Sequence, residues 1–106
     1  VGNIVLRDRQ HLSEDGIMIV VMTLERHSNV VLAGPDIVSR GFVYVRESED
    51  LMEDAKEVVE NALDSCLERN ITDWGKIKNT VKDALSDFLW KRTKRSPMIL
   101  PIIMEA

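Results

Sequence analysis

The chain has 106 residues, of which 44% are hydrophobic and 30% charged. That is enough apolar content for one domain with one core, and too much for a disordered segment. A net charge of -4 and a pI near 5.1 exclude a surface that is basic all round, as in domains that nucleic acid wraps. The single cysteine, Cys66, excludes an intramolecular disulfide and a zinc knuckle.

Ile4 to Ser13 is short and polar and predicts a lead-in helix or irregular segment, so residues 1–15 are assigned to a linker and 16–106 to the domain. Glu14-Asp15-Gly16 is a turn signal. Ile17 to Leu24 is an unbroken apolar, β-branched run, which predicts a central strand buried on both faces. The polar turn Glu25 to Asn29 and the strand Val30 to Ala33 complete a hairpin. Gly34-Pro35-Asp36 interrupts the pattern. Asp36 to Val45 resumes it, either as the same strand past a bulge or as a third one, with Gly41 marking a bulge or close approach.

Ser48 is placed to cap the first helix, whose first turn holds Glu49 and Asp50. Leu51, Ala55, Val58, Val59, Ala62, Leu63, Cys66 and Leu67 recur at helical spacing, which makes Cys66 a small core hydrophobe. Asn70 is the expected stop. Thr72 is the expected cap of a second helix with Asp73 in its first turn. Trp74, Ile77, Val81, Ala84, Leu85, Phe88 and Leu89 form its apolar stripe. Ser96-Pro97 ends that helix, because the proline ring blocks continuation. Met98 to Met104 is a final strand, and Pro101 places it at a sheet edge or at a bulge. The order ββααβ implies an α+β two-layer sandwich, a small mixed sheet of about three strands packed on two amphipathic helices. No apolar run approaches the roughly 18 residues of a membrane span.

Charge is unevenly spread. Ten acids lie between Glu47 and Asp73 against Lys56 and Arg69, whereas Lys76 to Arg95 holds seven bases against Asp83 and Asp87. His11 and His27 have no partner at metal-ligand spacing, so no metal site is expected. There is no nucleophile elbow and no glycine-rich phosphate loop. The acids of the first helix lie opposite its apolar stripe, on what reads as a solvated face. No catalytic residue is assigned.

Three features remain. Arg40, in Ser39-Arg40-Gly41-Phe42, suits bidentate capture of a phosphate, or an ion pair with Asp36 or Glu47. Lys91, Arg92, Lys94 and Arg95 suit RNA phosphates, or simply the negative end of the helix dipole. Trp90 and Tyr44 are the aromatic candidates for base stacking, if they are not core. The apolar surplus of the first and last strands leaves a sheet face bare unless something covers it. Self-association is the sharp reading, with Ile99, Ile102, Ile103 and Met104 as interface candidates, and cover by the N-terminal segment or another domain is the alternative.

Val1 to Arg9, Leu12 to Gly16, Gly34 to Glu47 and Arg95 to Glu105 together resemble the C-terminal region of bacterial ribonuclease J, in order and over nearly the whole chain. The resemblance leans toward the major, catalytically competent paralogue. Ser96 departs from the basic residue expected there, which weakens the phosphate reading of the cluster.

The resemblance implies a piece of a longer cytoplasmic enzyme. That enzyme is a zinc-dependent 5′-to-3′ exoribonuclease with endonuclease activity, acting in mRNA turnover and ribosomal RNA maturation. Its zinc ligands would lie in a metallo-β-lactamase domain, in a His-x-His-x-Asp-His motif that this chain lacks, so no cofactor is expected in this segment. The implied role is non-catalytic assembly, as dimer or tetramer, and support of activity. Implied partners are a second copy, the catalytic domains of the same chain, and RNA in the full enzyme, with no membrane.

Overall fold

Strong alternation and helical periodicity become five elements, β1 (Ile17–Leu24), β2 (Val31–Arg40), α1 (Ser48–Glu68), α2 (Trp74–Thr93) and β3 (Met98–Glu105). The computed structural model describes residues 16–25, 27–28, 30–41 and 48–106, with only the backbone of Ser48 and Glu49. The expected lead-in over 1–15, the strand pattern through Phe42 to Val45 and the Ser48 cap fall outside the described residues.

The sheet is mixed, in the order β2-β1-β3. β1 pairs antiparallel with β2 through the predicted hairpin and parallel with β3. The α+β sandwich is the one predicted, ββααβ with three strands. β2 resolves the alternatives left open around Gly34-Pro35: it runs on through them, with register shifts opposite Val21 to Leu24 and a cis Gly34-Pro35 bond. Gly34 has φ +86°, and a Cβ there would lie 2.7 Å from the Val21 carbonyl oxygen. Only glycine fits. β3 pairs with β1 in unbroken register from Ile17/Met98 to Leu24/Glu105. Pro101 therefore sits on an edge strand and needs no bulge.

β1 is central as predicted, but it is not buried on both faces. Met18, Val20, Met22 and Leu24 are buried, and the residues between them are half-buried. The reason lies in the layering, since both helices cover the same side. Leu51, Ala55, Val59, Leu63 and Cys66 of α1 meet Ile77, Val81, Leu85 and Leu89 of α2 over that side, with Ile99 of β3 closing the core. Cys66 is the expected free, buried thiol.

The helix ends are specified locally. Asn70 takes a left-handed φ of 56°. The Ile71 amide donates to the Cys66 carbonyl and the Asn70 amide to that of Leu67, a Schellman closure with Ile71 packed on the core. Asp73, not Thr72, caps α2: its Oδ1 accepts from the amides of Gly75 and Lys76 at 2.8 and 3.4 Å. Thr72 is one residue too early, and the shorter span from the Asp73 carboxylate reaches two otherwise unmatched donors. Lys94 ends α2 in a left-handed conformation, and its amide donates to the Trp90 carbonyl.

Candidate functional site

The side of the sheet turned away from the two helices is built in rows. Residues paired across strands share a face. Arg40, Ile17 and Met98 form the first row, and Val38, Ile19 and Leu100 the second. Asp36, Val21 and Ile102 form the third, and Ala33, Thr23 and Met104 the last. The charged groups of these rows, Arg40 and Asp36, lie on β2, whereas β3 contributes an apolar residue to every row. Val38, Leu100, Ile102 and Met104 are all exposed, Ile102 by 43% and Met104 by 54%.

This arrangement corrects the candidate interface. Ile99 is only 3% exposed and belongs to the core, and Ile103 packs against it. Both point toward the helices because β3 alternates. Ile102 and Met104 stand exposed on the opposite face. Leu100 joins them and was overlooked. The run Met98 to Met104 is apolar on both faces, so hydrophobicity alone could not divide it; counting by twos from the edge proline would have done so.

The basic residues are divided as well. Lys91 Nζ lies 3.0 Å from Asp87 on the preceding turn, an exposed pair contributing about 0.3–0.5 kcal/mol. Arg92 reaches across to α1 and holds Asp54 at 2.9 Å, with its guanidinium 5.8 Å from the Phe88 ring centroid. Lys94 lies 5.6 Å from the Trp90 centroid, and at so exposed a place the cation–π attraction is worth roughly 0.5–1 kcal/mol. Among the described residues no acid pairs with Lys94 or Arg95. Trp90 is outside the core, 51% exposed, because it follows the fully buried Leu89 by one residue, about 100° around the helix.

Arg40 does not pair with Asp36; its guanidinium donates to the neighbouring Ser39 carbonyl at 3.1 Å. Glu47, its other expected partner, lies outside the described residues, as does Tyr44. Arg40 and Met98 occupy one row, so Arg40 and the basic stretch share an end of the sheet on opposite edges. The Arg40 and Met98 backbones are about 10 Å apart in that row, two strand spacings. A groove of about 450 Å³ runs along the outside of the helices, lined by Val58, Ala84, Asp87, Phe88, Lys91 and Arg92. Its one acid and one of its two bases form the Lys91–Asp87 pair, and the other base, Arg92, is held by Asp54.

Among the described residues no group of three or more His, Cys, Asp or Glu could hold a metal ion, and His27 is an exposed turn residue. A perturbed carboxyl, that of Glu25, belongs to the β1–β2 turn. Glu25 accepts from the Ser28 hydroxyl and amide, both at 2.7 Å, and from the His27 amide at 3.0 Å. The Ser28 hydroxyl, then its amide, hold the Glu25 carboxyl below its usual value of 4.5. This organises a turn.

The family sequence model described as "Ribonuclease J C-terminal domain" matches residues 4–106. This chain belongs to that family. It is 51% identical over 105 residues, 99% of its length, to ribonuclease J2 of Bacillus subtilis (strain 168), and equally so to ribonuclease J 2 of Staphylococcus aureus (strain NCTC 8325). The chain spans 19% of the length of each relative. Both carry the name of the second paralogue, against the leaning of the sequence toward the major one. The relatives are ribonucleases by name, and this ribonuclease J domain corresponds to a minor part of each. No helix among its described residues is long and apolar enough to cross a membrane.

Proposed function

We propose that this is the non-catalytic assembly domain of ribonuclease J, joining copies of the enzyme through the open sheet face and so supporting activity that resides elsewhere. The observation that carries this reading is the β3 contribution to that face. Leu100 and Ile102 are exposed beside Met104 in an otherwise well-packed domain, and soluble proteins seldom leave such a contiguous patch unused. A twofold pairing of two sheets at about 10 Å would bury it in self-complementary fashion. On this reading residues 16–106 are the folded unit and 1–15 its lead-in. The parent is a cytoplasmic, zinc-dependent 5′-to-3′ exoribonuclease and endoribonuclease of mRNA turnover and ribosomal RNA maturation. The zinc and its ligands belong to the catalytic part, and the partners are a second copy, in a dimer or tetramer, and the catalytic domains of the same chain.

Light scattering over a concentration series tests the reading. The chain is expected to dimerise, and Ile102→Glu to be monomeric with unchanged circular dichroism. A chain that stays monomeric throughout, or an Ile102→Glu variant of the same mass as the parent, sinks assembly through this face.

A further inference from the structure

The end of α2 carries a second surface, unrelated to the open sheet face. Of its four cations, two are engaged by acids: Lys91 by Asp87 and Arg92 by Asp54. Among the described residues no acid holds Lys94 or Arg95; Lys94 lies near the half-exposed indole of Trp90, and Arg95 is the next residue along the chain. The Lys94 ammonium rests near that ring as the weak, exposed contact already described, which a better partner readily displaces. The left-handed turn at Lys94 ends the helix there, and the Arg95 amide donates to Thr93 Oγ1 at 3.1 Å. Thr93 Oγ1 in turn donates to the Leu89 carbonyl at 2.7 Å, which ties the turn to the helix. The backbone carrying both cations is thus fixed, with Lys94 exposed and Arg95 half-buried.

We propose that Trp90, Lys94 and Arg95 form a contact site for single-stranded nucleic acid, a base stacking on the indole and phosphates meeting the two cations. The chemistry is that of sequence-tolerant single-strand binders, where an aromatic face takes any base and cations follow the backbone. A duplex offers no free base face to the ring. An acidic protein partner would satisfy the cations but leave the indole without a matched flat surface. The five-residue basic run is therefore not uniform: its phosphate contacts come from its C-terminal half, and the ring adds what charge alone does not.

The test is fluorescence anisotropy of a labelled oligouridylate titrated with the 106-residue chain. The expected log–log salt slope is about −1.4, two phosphates on a single strand. Trp90→Leu is expected to weaken binding roughly tenfold, and Trp90→Phe to retain most of it. The Lys94→Gln/Arg95→Gln double variant should flatten the slope, whereas Lys91→Gln leaves affinity within about twofold. Absence of binding at low salt overturns the site. So does Trp90→Leu binding as well as the parent, Lys91→Gln costing as much as the double variant, or a polyglutamate peptide competing as well as unlabelled RNA. Solution mass does not enter, so this result and that of the assembly test stand apart.

Discussion

The two faces of one small sheet are made from nearly the same residue types and have different fates. On one, Met18, Val20, Met22 and Ile99 vanish beneath the helices. On the other, Ile19, Val21, Leu100 and Ile102 meet no described element and stay partly or largely exposed. Composition does not separate them; connectivity does. Both crossover helices pack on the same side, so a strand with apolar residues at every position can bury only half of them within the domain. The surplus on the other half is what the helices leave partly or largely exposed.

The largest expected effect breaks this symmetry. Ile99→Glu and Ile102→Glu are the same substitution three residues apart. The first places an unpaired carboxylate in the core, where the cost of several kcal/mol competes with a whole-domain stability of about 5–15 kcal/mol. Ile99→Glu is expected to lose its cooperative denaturation transition, and Ile102→Glu to keep it within about 1 kcal/mol. Equal stability of the two would mean that the faces do not differ in burial, and the reverse ranking that they have been assigned the wrong way round.

Next in size is Gly34→Ala, which acts on the strand that both faces share. The new Cβ would meet backbone at 2.7 Å and a φ of +86° would burden it further. Backbone cannot retreat as a side chain tip can, so a loss of about 1–3 kcal/mol is expected in urea denaturation. A neutral result would show that β2 does not pass so closely over β1.

Asp73→Ala affects only the covered face, by loosening the start of the helix that covers it. Two amide donors lose their acceptor, and about 1 kcal/mol should be lost with the solution mass unchanged. Thr72→Ala is the control and should cost little; the reverse ranking would restore the cap that the sequence favoured.

What could be read without coordinates follows the range of the interaction. The helices were legible because Leu51 to Cys66 and Ile77 to Leu89 repeat at 3.6 residues, a pattern with one physical meaning. The hairpin followed from local chemistry, and Pro101 narrowed its strand to a sheet edge or a bulge, of which the edge is what the pairing shows. The passage of β2 through Gly34-Pro35 stayed open, because turn and bulge share their residue types. Ile99 and Ile103 were placed at the interface because the last strand is apolar at every step, so no alternation announced its faces. The division of the basic run was out of reach for another reason. Arg92 is neutralised by Asp54, 38 residues earlier, and that pairing exists only once the helices pack.

The smallest effect concerns neither face and so measures the background against which they differ. Glu25 closes the β1–β2 turn as a carboxylate, accepting three hydrogen bonds from residues 27 and 28. Its folded pKa is lowered, first by the Ser28 hydroxyl. A depressed carboxyl binds its proton less readily in the folded state than in the unfolded one. Its contribution is therefore fully present above the unfolded value of 4.5 and fades as pH falls through the lower folded value. The melting temperature of Glu25→Gln should lie slightly below that of the parent at neutral pH, and the two should converge in acid. Because the turn is exposed, solvent screens the effect, and it should remain well below that of the Asp73 cap. A gap that persists into strong acid would mean that the carboxylate charge is not what holds the turn, leaving the neutral hydrogen bonds to set the register that decides which residues of β1 look inward.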